Sequence, residues 1–258
     1  MGKILRLFFK FLTVFIVIAV LNRIGFSADN IGDARSIVKK VDELYRSDAS
    51  YGLIEMNIIT THWKRKLKIE SWSMGKKHTF IRILEPKKEK GMTTLRIDKE
   101  MWNYFPKTNK VMKIPPSMMM GSWMGSDFTN DDLVKEYTYF DDYHFEIINP
   151  DYAKKGETYV KCIPKDGMPI VWGWVILAVD TESYIPVWQK FYDEKGTLMR
   201  EMYFREVKKM GNKIIPTILE LIPTKKKGKK TIIKYIKAKF NMRIDKKIFS
   251  LRNLRSGN

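Results

Sequence analysis

Short segments in which apolar and polar residues alternate recur along the chain, and brief turns separate them. This pattern restricts the possible folds more than any other feature of the sequence. It predicts strands at residues 54–58, 66–70, 77–84, 92–97, 101–105, 111–114, 138–148, 159–164, 171–179, 184–192, 198–207, 213–222 and 231–240. The turns between them are short, so sequential strands must run antiparallel. We therefore expect a meander of roughly eleven to thirteen strands, and one sheet of that size must curl, split or close.

Some of these segments are apolar on both faces, which indicates strands that are covered from both sides. Residues 171–177 and 214–221 are almost continuously apolar, and Pro216 indicates a sheet edge or a bulge. One amphipathic helix, from Asn30 to Tyr45, precedes the strands, with an apolar stripe made of Ile31, Ala34, Val38, Val41 and Tyr45. We expect an α+β fold, mainly β: a strongly curved antiparallel sheet forming an unclosed half-barrel of about 11 strands, with helices covering the concave apolar face.

The amino terminus has the order of regions that is typical of a secretory signal. Lys3, Arg6 and Lys10 precede an apolar run from Phe11 to Leu21, and small and polar residues follow. We predict a cleavable signal peptide at residues 1–27 and a single exported domain at residues 28–258. A membrane anchor is the alternative, but the run is shorter than the ~20 apolar residues of a spanning helix.

The mature chain stays strongly basic. Removing residues 1–27 takes away four basic residues and no acidic one, so the formal charge falls from +19 to +15. Such an exported protein suits anionic lipid head groups or an acidic partner. Nucleic acid would be the intracellular alternative, and the signal disfavours it.

The residue patterns that would indicate catalysis or metal binding are missing. His62, His78 and His144 are far apart in sequence, and no nucleophile motif of the type GxSxG occurs. The single cysteine, Cys162, lies in a predicted strand and suits a buried position. The acidic pairs 131–132 and 141–142 suit helix starts and turns. We therefore expect no enzyme activity and no cofactor.

An insert rich in methionine interrupts the strands between Pro115 and Glu136. Glycines at 121 and 125 space its apolar residues, and methionine side chains adapt well to variable apolar shapes. The insert either plugs the concave face of the sheet or acts as a lid over an apolar binding cavity. The candidate cavity and lid residues are Met56, Ile58, Trp102, Tyr104, Met112, Met118, Met119, Met120, Trp123, Met124, Phe128 and Leu133.

The densest charge in the chain is a lysine run near the carboxyl end. It consists of Lys225, Lys226, Lys227, Lys229 and Lys230. A solvated hairpin tip would account for it, and so would contact with an anionic membrane or an acidic partner, because each well-placed lysine contributes ~1 kcal/mol near anionic lipid.

Four stretches resemble the LolA/LolB-like outer-membrane lipoprotein-sorting proteins. They are Trp102–Pro106, Lys110–Ile114, Met119–Leu133 and Asp245–Leu254. The resemblance implies an unclosed β-barrel with a helical lid over an apolar cavity. It also implies a periplasmic carrier of lipid or acylated lipoprotein, and the chain is similar to a branch associated with RND-type exporters.

These expectations lead to two hypotheses. In the first, the protein is a monomeric periplasmic carrier that binds a lipid or lipidated protein and moves it towards the outer membrane, in association with an RND-type inner-membrane transporter. In the second, it is a non-carrier structural or adaptor subunit of an RND-type export complex. Neither hypothesis requires a cofactor or nucleic acid.

Overall fold

The computed structural model describes residues 28–45, 47–135, 139–168 and 170–256, and within them a single antiparallel sheet of thirteen strands dominates. The predicted signal peptide lies outside these residues. The strands are β1 Ala49–Ile59, β2 Lys64–Met74, β3 His78–Glu85, β4 Thr93–Ile97, β5 Glu100–Phe105, β6 Lys110–Lys113, β7 Tyr143–Ile148, β8 Glu157–Pro164, β9 Trp174–Asp180, β10 Pro186–Tyr192, β11 Leu198–Met210, β12 Lys213–Pro223 and β13 Lys230–Phe240.

Almost all neighbouring strands are also consecutive in sequence. The order across the sheet is β6-β5-β4-β3-β2-β1-β13-β12-β11-β10-β9-β8-β7. The exception is β1, which pairs with β13 and so joins the two meanders into one curved surface. The predicted fold class is confirmed, with the strand number at the upper end of the expected range.

In the described residues one long α-helix and three short ones accompany the sheet: α1 Ala28–Tyr45, α2 Asn130–Lys135, α3 Tyr139–Asp142 and α4 Leu251–Ser256. No helix in the described part of the chain is long and apolar enough to span a membrane. Ala34, Ile37 and Val38 of α1 are buried against β7, β8 and β9. The amphipathic helix is therefore confirmed, and it covers one half of the concave face.

Two strand predictions need correction. Residues 139–142 form α3, so the segment predicted at 138–148 is a strand only from Tyr143 onwards. β9 begins at Trp174, and Gly173 before it lies against the turn that joins β10 to β11. A Cβ at Gly173 would lie 2.6 Å from the Asp193 carbonyl oxygen.

Pro216 lies in an interior strand, not at a sheet edge. β12 pairs with β13 only from Ile218 to Leu221, so the strands separate next to Pro216 and its missing N–H breaks no bond there. The Tyr45 hydroxyl of α1 donates to the Pro216 carbonyl oxygen at 2.9 Å. The end of α1 thus lies where the two strands part.

The carboxyl-terminal segment covers the opposite, convex face. Phe249 and Leu254 pack against Phe80, Leu95 and Tyr104 of β3, β4 and β5. Leu254 is fully buried and its neighbour Leu251 is about half exposed (0% and 49%). Because both faces of the sheet are covered here, the strands are apolar on both sides.

We expect Leu254→Ala to lower the free energy of unfolding by about 2 to 5 kcal/mol, because it leaves a cavity between α4 and the sheet. Urea unfolding followed by circular dichroism would measure this loss. Leu251→Ala, in the same helix, is the matched control and should change stability by less than about 0.5 kcal/mol. Equal effects of the two substitutions would contradict the packing of α4 described here.

Candidate functional site

A cavity of about 290 Å³ lies on the concave side of the sheet. Its walls come from β1 to β3 on one side and from β7 to β13 on the other, with α1, the insert and α2 across the opening. Apolar side chains dominate the lining, among them Val38, Ile54, Met56, Ile69, Ile81, Trp123, Phe128, Leu133, Leu177, Phe191, Met202, Phe204, Leu219 and Ile233. Hydroxyl groups from Ser50, Ser71, Ser73 and Thr79 also line it.

The insert places two aromatic side chains in the cavity. Trp123 and Phe128 are both buried there, and the Trp123 backbone N–H donates to the Phe128 carbonyl oxygen at 2.8 Å. The Trp123 indole N–H reaches Thr94 Oγ1 of β4 at 3.1 Å. A buried indole N–H needs such a partner, so this bond fixes how deeply Trp123 enters the barrel.

A second polar contact ties the insert to the opposite wall. The Asp127 N–H donates to Thr231 Oγ1 at 2.9 Å, and the Thr231 hydroxyl donates to the Asp127 carboxylate at 2.8 Å. Thr231 lies at the start of β13 and is fully buried. The insert is thus bound to β4 and to β13 at two separate points.

The helix α2, which follows the insert, starts with a capping box. Thr129 Oγ1 accepts a hydrogen bond from the Asp132 N–H at 3.1 Å, and the Asp132 carboxylate accepts one from the Thr129 N–H at 2.8 Å. This reciprocal pair satisfies two donors at the helix start. The expectation that the acidic pair 131–132 suits a helix start is confirmed, since both residues lie in the first turn of α2.

The same Asp132 carboxylate holds α2 to the sheet. Arg200 of β11 donates to both of its oxygens, at 2.7 and 2.6 Å, in a bidentate ion pair. The Arg200 guanidinium also lies 4.5 Å from the ring centre of Trp172 and 4.2 Å from that of Phe191. The pair is therefore an ionic contact between α2 and β11, and apolar and aromatic side chains surround it.

Electrostatics at this pair favour the charged carboxylate. Burial by itself would raise the pKa of Asp132, but the Arg200 guanidinium and the bonds from Arg200 and Thr129 outweigh it and hold that pKa below its usual range. Asp132 thus stays ionised at neutral pH and keeps its contact with Arg200.

The structure brings about half of the predicted site residues together. Met56, Trp123, Phe128 and Leu133 line the cavity. Ile58, Met119 and Met124 belong to or pack against the same concave core, whereas Met112, Met118 and Met120 are exposed. The insert therefore directs its aromatic residues inwards and several of its methionines towards solvent.

The prediction that Trp102 and Tyr104 line the cavity is wrong. Both point to the convex face, where Tyr104 packs with Phe249 and Trp102 borders a shallow groove beside Leu251. Successive side chains in a strand point to opposite faces. On β5 it is Met101 and Asn103 that face the concave side, because they stand opposite Ile114 and Thr94.

Arg200 is the important residue that the sequence interpretation missed. It alternates with Met202 and Phe204 along one face of β11, and that face lines the cavity. A lone arginine on an otherwise apolar strand face needs an acidic partner. The pattern therefore contained a signal, although it did not name Asp132 as the partner.

The described residues contain no group of histidine, cysteine and acidic side chains that could hold a metal ion. Cys162 lies at the cavity wall, and burial raises the pKa of its thiol far above the usual value. A thiol in that state is a poor nucleophile.

The lysine run forms the turn between β12 and β13. Lys225, Lys226 and Lys227 are exposed, whereas Lys229 and Lys230 are half-buried. Lys230 pairs with Glu220 of β12 at 2.8 Å, and that contact lowers the pKa of Glu220. The exposed cations therefore sit at a hairpin tip.

A family model described as that of an uncharacterized protein matches residues 75–256. The chain belongs to this family. No curated protein matches the sequence.

Solved structures establish the type of fold. A DUF1329 family protein from Desulfovibrio piger is 19% identical with a TM-score of 0.79, covering 87% of this chain and 99% of its own. A domain from Vibrio parahaemolyticus described as an outer membrane lipoprotein-sorting protein is 18% identical, with a TM-score of 0.74. The match covers 88% of this chain and 100% of that domain. A LolA superfamily protein from Nitrosomonas europaea is 19% identical, with a TM-score of 0.71. The match covers 85% of this chain and 98% of that protein. The resemblance drawn from the sequence is confirmed as a likeness of fold.

We expect Asp132→Asn to lower the free energy of unfolding by about 3 kcal/mol or more, because it leaves the buried Arg200 guanidinium without its carboxylate. Denaturant unfolding would measure the loss. Asp98→Asn is the matched control, since it breaks an exposed pair with Lys77. It should cost about 1 kcal/mol or less.

The ion pair itself can be tested through the pH dependence of the stability that Asp132→Asn loses relative to wild type. The folded pKa of Asp132 lies below its usual value of 3.8. The stabilisation is therefore complete above that value and is lost as the pH falls through the folded pKa. The difference in free energy of unfolding between wild type and Asp132→Asn should become smaller below about pH 4. A difference that stays constant with pH would refute the ion pair between Asp132 and Arg200.

Proposed function

We propose that the protein is a periplasmic carrier that binds a lipid or a lipidated protein in the concave cavity and moves it towards the outer membrane. The observation that carries this proposal is the apolar cavity itself, covered by an insert that polar contacts hold to the walls. The described relative from Vibrio parahaemolyticus, an outer membrane lipoprotein-sorting protein domain, supports it through its shared fold.

Apolar burial would supply the affinity for such cargo. Each Å² of apolar surface removed from water contributes about 25 cal/mol, and most of the lining is aliphatic or aromatic. The volume of 290 Å³ is near the lower limit of ~300 to 1,000 Å³ for ligand sites. Larger cargo would therefore need the insert to move away from the sheet.

The chemistry of the lining favours carriage over catalysis. The cavity contains an inert thiol and a carboxylate already paired with a guanidinium. We therefore propose that the protein is not an enzyme. We also propose that it acts as a monomer, and that its transporter partner is of the RND type, on the resemblance of the insert sequence.

Locking the insert to the sheet tests whether it acts as a lid. Asp127 and Thr231 are in direct contact, so we expect Asp127→Cys with Thr231→Cys to form a disulfide on oxidation. The oxidised variant should take up at least tenfold less of the apolar fluorophore N-phenylnaphthylamine than the reduced one, because the opening stays closed. Binding titrations before and after reduction would measure this.

The two single-cysteine variants, treated with the same oxidant, serve as controls and should bind the fluorophore equally in both states. Native Cys162 should not interfere, because it is buried. If the wild-type protein binds no apolar fluorophore and no lipid copurifies with it, the adaptor hypothesis replaces the carrier. If the locked variant binds normally, the insert is a fixed plug.

We further propose that the hairpin tip with Lys225, Lys226 and Lys227 docks on an anionic membrane surface. Lys226→Ala with Lys227→Ala should weaken binding to vesicles containing phosphatidylglycerol by roughly thirtyfold, since each lysine contributes ~1 kcal/mol. Vesicle sedimentation at low salt would measure it. The control is Lys154→Ala with Lys155→Ala, which removes the same charge from another exposed loop and should weaken vesicle binding less. Equal losses of vesicle binding would mean that the net charge of the protein, and not the hairpin tip, determines the binding.

A further inference from the structure

Hydroxyl side chains form a row across three strands at one end of the cavity. Ser50 of β1 stands directly opposite Ser73 of β2, and Ser73 stands opposite Thr79 of β3. Side chains that stand opposite each other in an antiparallel pair share a face and lie about 5 Å apart. Ser71, the next concave residue along β2, adds a fourth hydroxyl, and all four residues line the cavity.

The row is not saturated by its own hydrogen bonds. The Ser50 and Ser73 hydroxyl oxygens are 2.6 Å apart and bond to each other. Thr79 Oγ1 is buried, and no hydrogen-bond partner for it exists among the described residues. A buried hydroxyl without a partner is costly. A ligand oxygen placed beside Thr79 would remove that cost.

The other end of the cavity is apolar. Met56 lies six positions after Ser50 along β1, which is a distance of about 20 Å. Met56 belongs to an apolar cluster with Ile69, Ile81 and Trp123, and this cluster begins beside the row, since Ile81 stands opposite Ser71. The cavity therefore has a hydroxyl end and an apolar end, which is the polarity of an amphiphile with one head and one tail.

The charges around the cavity argue for a head group without charge. The charged lining residues are the carboxylates Asp42, Asp131 and Asp132 and the guanidinium of Arg200. All four belong to α1, α2 or β11, and none belongs to β1, β2 or β3, which carry the hydroxyl row. Arg96 of β4 stands opposite Thr79, but it is not among the residues that line the cavity, and its guanidinium donates to the backbone oxygens of Lys76 and Asp98.

We infer that this hydroxyl row binds the uncharged, oxygen-bearing head group of a single-chain amphiphile, of which a monoacylglycerol is the simplest example. The head exchanges hydrogen bonds with Ser73 and Thr79, and the tail runs along β1 and β2 towards Trp123. This inference rests on the proposed carrier function and adds to it the chemical class of the cargo and its direction in the cavity.

A competition experiment tests the inference. N-phenylnaphthylamine bound to the full-length protein would be displaced by monodecanoylglycerol, decanoate or decylamine, which share a chain of ten carbons and differ in the head. We expect monodecanoylglycerol to compete best. In Ser73→Ala with Thr79→Val its affinity should fall about tenfold through the loss of two hydrogen bonds, and this loss should exceed any change in the fluorophore affinity, which is measured separately for each variant.

Thr181→Val is the matched control, since it removes an exposed hydroxyl outside the cavity and should change no affinity. Thermal melting would verify that each variant folds, and Ser73→Ala alone, with a smaller loss of about threefold, serves if the double variant does not. Preference for decylamine or decanoate, or an unchanged affinity for monodecanoylglycerol in the variant, would overturn the inference. Failure of the wild type to bind the fluorophore would reject the carrier function itself.

Discussion

A sheet that is apolar on both faces needs cover on both sides, and the remaining parts of this chain supply it. The thirteen strands form one continuous surface, and the described residues form no second sheet that could pack against either face. The carboxyl-terminal segment covers the convex side of β2 to β6. On the concave side α1 covers one half and the insert covers the other. The cavity is the space between these two separate covers.

The two concave covers are attached by different forces. α1 packs through buried Ala34, Ile37 and Val38, so its contact with the sheet is chiefly apolar. The insert and α2 combine two buried aromatic residues with polar contacts, of which the Asp132–Arg200 pair is the only bidentate one described. A buried ion pair adds little net stability compared with apolar packing, but it is directional. Such a contact suits a cover that must return to one position after it has opened.

This chain shares its fold with proteins that are distant from it in sequence, at 18 or 19% identity. Function depends on the particular side chains in the cavity. Here those are an apolar end near Trp123, a hydroxyl row from Ser50 to Thr79, and an ion pair between lid and wall. The proposed carriage of an amphiphile follows from these residues and can be tested on them one by one.

The sequence determined the strands, the turns and the single long helix, because alternation and turn residues act locally. It also located the insert, since glycine and methionine replace the alternating pattern there. It could not determine which face of β5 looks inwards, and Trp102 and Tyr104 were therefore assigned to the wrong side. The face to which a side chain points depends on how its strand pairs with the neighbouring strands. The alternation within one strand is compatible with either orientation. The pairing of Arg200 with Asp132, 68 positions apart, and the alignment of Ser50, Ser73 and Thr79 were likewise decided only by tertiary structure, because only the folded sheet brings these side chains together.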